Sequence, residues 1–213
     1  MTTLIDDPPV TGTASAEEAA ADAEAITASV RDPDRFTPIF DRHFAAIHAY
    51  VARRLGVQAA DDLAAETFLI AFRQRHRFDR RHGIARGWLF GIATNLIRRY
   101  QRDQIRGRRA VARVGPPPTD GAHDDPVAAN VTAHLTSEPL SDALARVKPK
   151  DLEVLLLVAF AELTYEETAA ALGIAYGTVC SRLSRARRVI RDSLGHDADS
   201  APGPDADSAQ KDL

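Results

Sequence analysis

Apolar residues recur along this chain at steps of three and four, broken by short polar stretches, a spacing that predicts helices rather than strands. Phe36, Phe40, Phe44, Ile47, Val51 and Leu55 form one such stripe after Asp34. Gly56 follows it and is the residue type that stops a helix. Asp61 and Asp62 open a second helix, their charge suited to the positive end of its dipole. That helix runs through LAAETFLIAFRQRH to about Arg77. After a polar, basic loop at 78–86, a third helix reads GWLFGIATNLIRRYQRDQIR, with Trp88, Ile92, Leu96 and Tyr100 on one face. Three amphipathic helices can bury one small core.

The pattern lapses over residues 107–140, where GPPPTDG and HDDP occur. Consecutive prolines exclude a helix there, so this stretch reads as a flexible linker. Helical spacing returns at Ser141, continues past Pro149 into DLEVLLLVAF, and leads to LTYEETAAALGIAYGTVCSRLSRARRVIRDSL. In this last stretch Thr164 and Glu167 have the spacing of a capping box. Gly173 suits a left-handed turn, and another helix starts near Ala175. On it Val179, Leu183, Ala186 and Ile190 share a narrow stripe that must face a core. Gly177, Ser181, Ser184 and Arg188 lie opposite, flanked by Cys180 and Arg191 on one side and by Thr178 and Arg185 on the other. Small residues let a backbone approach a groove, and arginines grip phosphates or guanine edges. This is the logic of a helix-turn-helix with its second helix as reader.

Charge changes the picture because it is segregated. Residues 1–30 carry six acids and no Lys or Arg, whereas residues 73–113 hold thirteen arginines against Asp79 and Asp103. Such a basic body points to phosphate or to acidic protein surfaces. Residues 1–30, rich in Ala, Glu, Asp and Thr, offer little to bury. They read as a mostly disordered acidic extension with at most a transient helix around 16–30. Residues 195–213 read as a second disordered acidic tail. The single cysteine, Cys180, excludes an internal disulfide framework and suits a reducing cytosol. No secretory signal stands at the N-terminus, and no apolar run nears the roughly 20 residues of a membrane span. The seven histidines are scattered and no glycine-rich phosphate loop occurs, so an enzyme, a metal site and a bound cofactor are not expected.

The stretch GTVCSRLSRAR at 177–187 resembles the promoter-reading core of extracytoplasmic-function sigma factors. DDLAAETFLIAFRQRHRFD resembles that family's polymerase-binding helix, and RGWLFGIATNLIRRYQR its promoter-melting helix. The resemblance spans about 35–194. It implies an all-α fold of two small helical domains: sigma domain 2 at 31–106 and sigma domain 4 with its helix-turn-helix at 141–194, joined by the linker at 107–140. It implies a protein that binds bacterial RNA polymerase core, through the clamp helices and flap of the large subunits, and directs it to promoter DNA. Thr178, Cys180, Ser181, Arg182, Ser184, Arg185 and Arg188 would then face the −35 element. Phe78, Asp79, His82, Arg86, Trp88, Asn95, Arg98, Arg99 and Arg102 would serve −10 recognition and melting. Trp88 has two readings, base stacking or core. Asp61, Asp62 and Glu66 would meet the polymerase, while Phe68 and Phe72 belong to the core. Cys180 stands where many members carry Lys or Arg, and Ala175 where a proline is common. The resemblance further implies an anti-sigma partner, a cytoplasmic location and no membrane insertion. A plain helix-turn-helix regulator would lack the patterned first domain. A mimic that only titrates an anti-sigma protein should have lost Arg182, Arg185, Arg187 and Arg188.

Overall fold

The computed structural model describes residues 16–79, 84–112 and 138–199, and among them the regular structure is entirely helical. Helix α1 is Ala16–Ser29, α2 Thr37–Leu55, α3 Val57–Gln74 and α4 Ala85–Ala112. Helix α5 is Glu138–Ala145, α6 Pro149–Phe160, α7 Tyr165–Leu172 and α8 Tyr176–Asp199.

Gly56 stops α2 at φ +86°, a backbone state that L side chains avoid. Helix α3 begins at the very next residue, so Asp61 and Asp62 lie in its second turn rather than opening it. The predicted stripe on α2 is present but wider. Ile47 and Val51 are fully buried, as are Ile39, Tyr50 and Arg54, while Phe40 remains 41% exposed. The extra burial arises because α1 covers one flank of α2 and α4 covers another. Tyr50 packs edge-on to Phe90 of α4, and its hydroxyl accepts a 2.8 Å hydrogen bond from Arg54.

Helix α1 corrects the expectation of a disordered extension over residues 16–29. Asp22 is buried against Arg42 and His43 of α2, with a 2.6 Å hydrogen bond to His43 Nε2. Ile26 is fully buried, and Arg75 donates to the Ser29 carbonyl at 3.0 Å. An isolated 14-residue helix is marginal in water. This one is held by a buried ion-paired carboxylate that composition gives no reason to expect inside. Residues 1–15 lie outside the described residues. At the other end α8 runs past the predicted boundary to Asp199, and the rest of the acidic tail lies outside the description. The linker expectation over 107–140 is trimmed at both ends, because α4 extends to Ala112 and α5 begins at Glu138. Its proline-bearing middle lies outside the described residues.

In the second half, the capping box forms as the sequence predicts. Thr164 Oγ1 accepts from the Glu167 N–H at 3.1 Å, and Glu167 Oε2 accepts from the Thr164 N–H at 2.8 Å. Gly173 closes α7 at φ 62°, ψ 39°. The stripe Val179, Leu183 and Ala186 is buried against α5, α6 and α7.

The two halves are packed on each other. Leu157, Ala161 and Leu163 belong to the same buried cluster as Ile47, Phe90 and Ile97 of the first half. Helix α7 lies along α4 so closely that a Cβ on Gly87 would sit 2.7 Å from the Glu167 carbonyl oxygen. At Gly91 it would sit 2.8 Å from the Ala171 carbonyl oxygen. Glycine in a helix interior costs about 1 kcal/mol relative to alanine. On α4 that cost is offset only where backbones meet.

Candidate nucleic-acid and polymerase interface

Helix α8 presents a two-sided character. Ser181, Ser184, Arg185, Arg187 and Arg188 are exposed, with Thr178, Cys180 and Arg182 partly buried beside them. The Ser181 hydroxyl donates to the Thr178 carbonyl at 3.1 Å. Behind this face Leu183 is 2% exposed and Val179 fully buried, so packing sets the helix's rotation about its own axis. Tyr165, Cys180, Leu183, Ser184, Arg187, Arg188 and Arg191 line a shallow cavity along one side. Arg187 and Arg191 were not in the predicted −35 set, although their spacing from Cys180 and Ser184 follows the helical repeat and was the available signal. Three guanidinium groups around one concavity form an anion-attracting surface.

Arg185 behaves differently from its neighbours. Its Nε and Nη2 donate to the two carboxylate oxygens of Asp151 on α6, at 3.1 and 3.0 Å. This forked hydrogen bond raises the guanidinium pKa, opposed by desolvation and aided by the carboxylate charge. The group predicted to read a base is therefore occupied by its own domain. Asp151 is a buried acid whose partner could not be read from helical spacing.

The predicted −10 set is split. Phe78 and Trp88 come together, ring centroids 5.2 Å apart, both partly buried against the core. Asp79 is exposed, and His82 lies outside the described residues. Asn95, Arg98, Arg99 and Arg102 are exposed along α4. Arg99 lies 3.9 Å from Asp103 in a surface pair. Arg98 donates through Nε to Glu153 of α6 at 2.8 Å, and its Nη2 also bonds that carboxylate. The hydrogen bond to Glu153 raises the Arg98 pKa, against the lowering effect of burial. Arg86 reaches into the second half. It donates to the Ala161 carbonyl at 2.7 Å and the Glu162 carbonyl at 3.1 Å, and lies 3.4 Å from Glu167.

On α3, Asp61 and Asp62 are exposed and Glu66 is partly buried, while Phe68 is buried in the core as expected and Phe72 packs partly buried against it. Asp61 meets His48 Nε2 at 2.9 Å. Leu69, one turn beyond Glu66, is 47% exposed, so the acidic face carries an apolar contact as well.

Two family descriptions match the chain: Sigma-70 region 2 over residues 39–107 and Sigma-70, region 4 over residues 137–190. The chain is 34% identical over 148 residues to the ECF RNA polymerase sigma factor EcfG of Rhodopseudomonas palustris, covering 68% of this chain and 77% of that one. It is 32% identical over 157 residues to SigL of Mycobacterium tuberculosis, covering 73% and 86%. Among solved structures it is similar to CnrH in complex with the cytosolic domain of CnrY, at TM-score 0.55 and 26% identity, covering 84% of this chain and 99% of that one. The sigma factor RpoE of Bartonella quintana, solved with the anti-sigma factor NepR, shares the fold at TM-score 0.54 and 24% identity over 76% of this chain and 98% of that one. With a domain of each sigma region in the expected order and relatives matched across both, the chain belongs to the extracytoplasmic-function family of RNA polymerase sigma factors, which direct promoter-specific transcription initiation.

Proposed function

We propose that this sigma factor reads the −35 element with the exposed face of α8 and the −10 element with residues of the stretch 78–86 and the Arg face of α4. It grips the polymerase clamp with Asp62, Glu66 and Leu69 of α3. The observation that carries this reading is the division of α8. A buried stripe at Val179, Leu183 and Ala186 backs a face of Ser181, Ser184 and Arg188. Small hydroxyl residues near the helix start admit the backbone to a major groove, and the arginines that follow reach phosphates. Arg187, Arg188 and Arg191 then serve as backbone contacts, and the exposed serines lie nearest the bases.

The protein acts as an initiation factor rather than a catalyst, and it acts in the cytoplasm, where polymerase and promoter are found. No helix among the described residues is long and apolar enough to cross a membrane. The CnrH structure holds a partner protein. We extend that to this chain as an anti-sigma partner covering its basic surfaces. The direct test is transcription in vitro with core polymerase and a library of randomised promoters. A shared −35 and −10 motif among the transcripts is expected. Reversing charge at Asp62 and Glu66 together should weaken assembly on core while leaving the helical circular-dichroism signal intact. Transcription without any promoter preference would overturn the reading.

A further inference from the structure

We infer that Arg75 is a positioning residue for −10 recognition: it ties the ends of α1 and α3 together and so fixes where the stretch 78–86 leaves the folded body. The inference rests on the functional reading above and adds a residue that the reading does not use.

Arg75 is the first residue after α3, and its side chain is held from three directions. Its Nε donates to the Ser29 carbonyl at 3.0 Å, and its Nη1 donates to the Phe72 carbonyl at 2.6 Å. The guanidinium lies 3.9 Å from the centroid of the Phe72 ring, a cation–π contact, and that ring meets Phe36 edge-on at 5.5 Å. The last carbonyls of a helix have no partner within it, and they carry the negative end of its dipole. One guanidinium can close two such ends because its planar fork presents several donors in fixed directions. The α1 end is a firm support. Ser29 is fully buried, and Asp22 holds α1 against Arg42 and His43 of α2.

What Arg75 supports is the start of the −10 stretch. Arg75–Arg77 form a single 3-10 helical turn, and the Phe78 N–H donates to the Arg75 carbonyl at 3.2 Å. Phe78 then leaves in extended backbone, at φ −69° and ψ 120°, with its ring 5.2 Å from that of Trp88 on α4. The stretch therefore begins between two fixed points, the Arg75 fork and the Trp88 ring. Asp79, the next residue, is exposed. Complementing helix dipoles needs only a nearby cation, which Arg73 in the last turn of α3 also supplies. A fork aimed at two particular carbonyls sets direction as well. Reading a base of a melted strand depends on that direction, because stacking and hydrogen-bonding groups must meet the base at set positions. Helical spacing hides this role, since the Ser29 carbonyl is 46 residues away along the chain.

The experiment compares the full-length protein with Arg75→Gln, Arg75→Lys and, as a charge control, Arg73→Gln, each assembled on core polymerase. Two probes are titrated: a single-stranded oligonucleotide with a randomised −10 segment, and a duplex carrying only the −35 segment. Circular dichroism of each free protein gives its melting temperature. Arg75→Gln should lower the preference for the favoured −10 base by about 10-fold, the worth of one well-placed base contact, and leave −35 duplex affinity unchanged. Arg75→Lys keeps the charge without the fork and should recover only part of the preference. Arg73→Gln should keep the wild-type preference. A residue that only stabilised the fold would leave the −10 preference intact or weaken both probes in parallel. Either result for Arg75→Gln would overturn the inference, whatever its melting temperature. So would full recovery in Arg75→Lys, or an equal loss in Arg73→Gln. A wild-type protein with no −10 preference at all would instead overturn the functional reading, and the inference with it, so the two failures are distinguishable.

Discussion

Helices α4 and α8 look alike in sequence and are used differently. Both are long, at 28 and 24 residues, both are arginine-rich, and both carry an apolar stripe. Helix α8 buries that stripe and shows its polar face to solvent. Helix α4 is covered on two sides in its first half. Leu89, Phe90, Ala93 and Ile97 are buried along with Gly87 and Gly91, while Trp88 and Ile92 of the predicted stripe are only partly covered. Periodicity locates a single buried face well. It fails where a second surface arrives from far along the chain, because that surface accepts small residues and cations that no hydrophobic pattern marks. The difference also separates two kinds of arginine. Those of α4 that face the second half balance buried acids, and those of α8 around the Cys180 cavity have a concave, solvent-facing setting.

The largest expected effect tests whether the halves share a core. Leu157→Ala and Leu183→Ala each remove a large buried side chain and should each cost about 2–5 kcal/mol in denaturant unfolding. They should differ in reach. Leu157 belongs to the cluster containing α4, so its truncation should raise hydrogen exchange in α4 as well as in α6. Leu183 packs with Val154, Val158 and Val179, so its loss should be felt in α6 and α8 while α4 stays protected. If Leu157→Ala left α4 exchange untouched, the two halves would have separate cores.

A middle-sized effect comes from the cap between the two helices. Thr164→Ala should cost about 1 kcal/mol of thermal stability, and Thr164→Ser should recover most of it. Because Glu167 both closes the capping box and approaches Arg86, fraying of α7 should also loosen its hold on α4. A cap mutant with lowered melting temperature and unchanged exchange at 85–91 would show that the two roles of Glu167 are independent.

The smallest effect on stability separates the arginines of α8 from one another. Arg188→Ala should alter stability by less than about 0.5 kcal/mol, weaken binding to every promoter sequence, and reduce the salt slope of binding by about 1. Arg185→Ala should instead lower the melting temperature, since Asp151 would lose both of its described guanidinium contacts. Selection on randomised −35 DNA should return the same motif from the Arg185 variant. A relaxed base preference there would return Arg185 to the reading face and overturn its structural assignment.

Helical spacing, the Gly56 and Gly173 stops, the Thr164–Glu167 box and the apolar stripe of α8 were all legible in the chain itself. Each depends on residues within a turn or two of one another, so local chemistry determines it. The order of the two helical units and their family were legible too, because the motifs that carry them are continuous segments. Three things were settled only in the folded molecule. Asp22 is drawn inside by Arg42 and His43, twenty and twenty-one residues away, which turns an acidic extension into a docked helix. Arg86, Arg98 and Arg185 take partners 34 to 81 residues distant, which removes them from the freely exposed set. Gly87 and Gly91 gain a role only where α7 is laid against them. A buried charge is stable only beside its partner, and a missing Cβ is useful only where another backbone fills its place. Both conditions are properties of distance in space, which separation along a sequence does not encode.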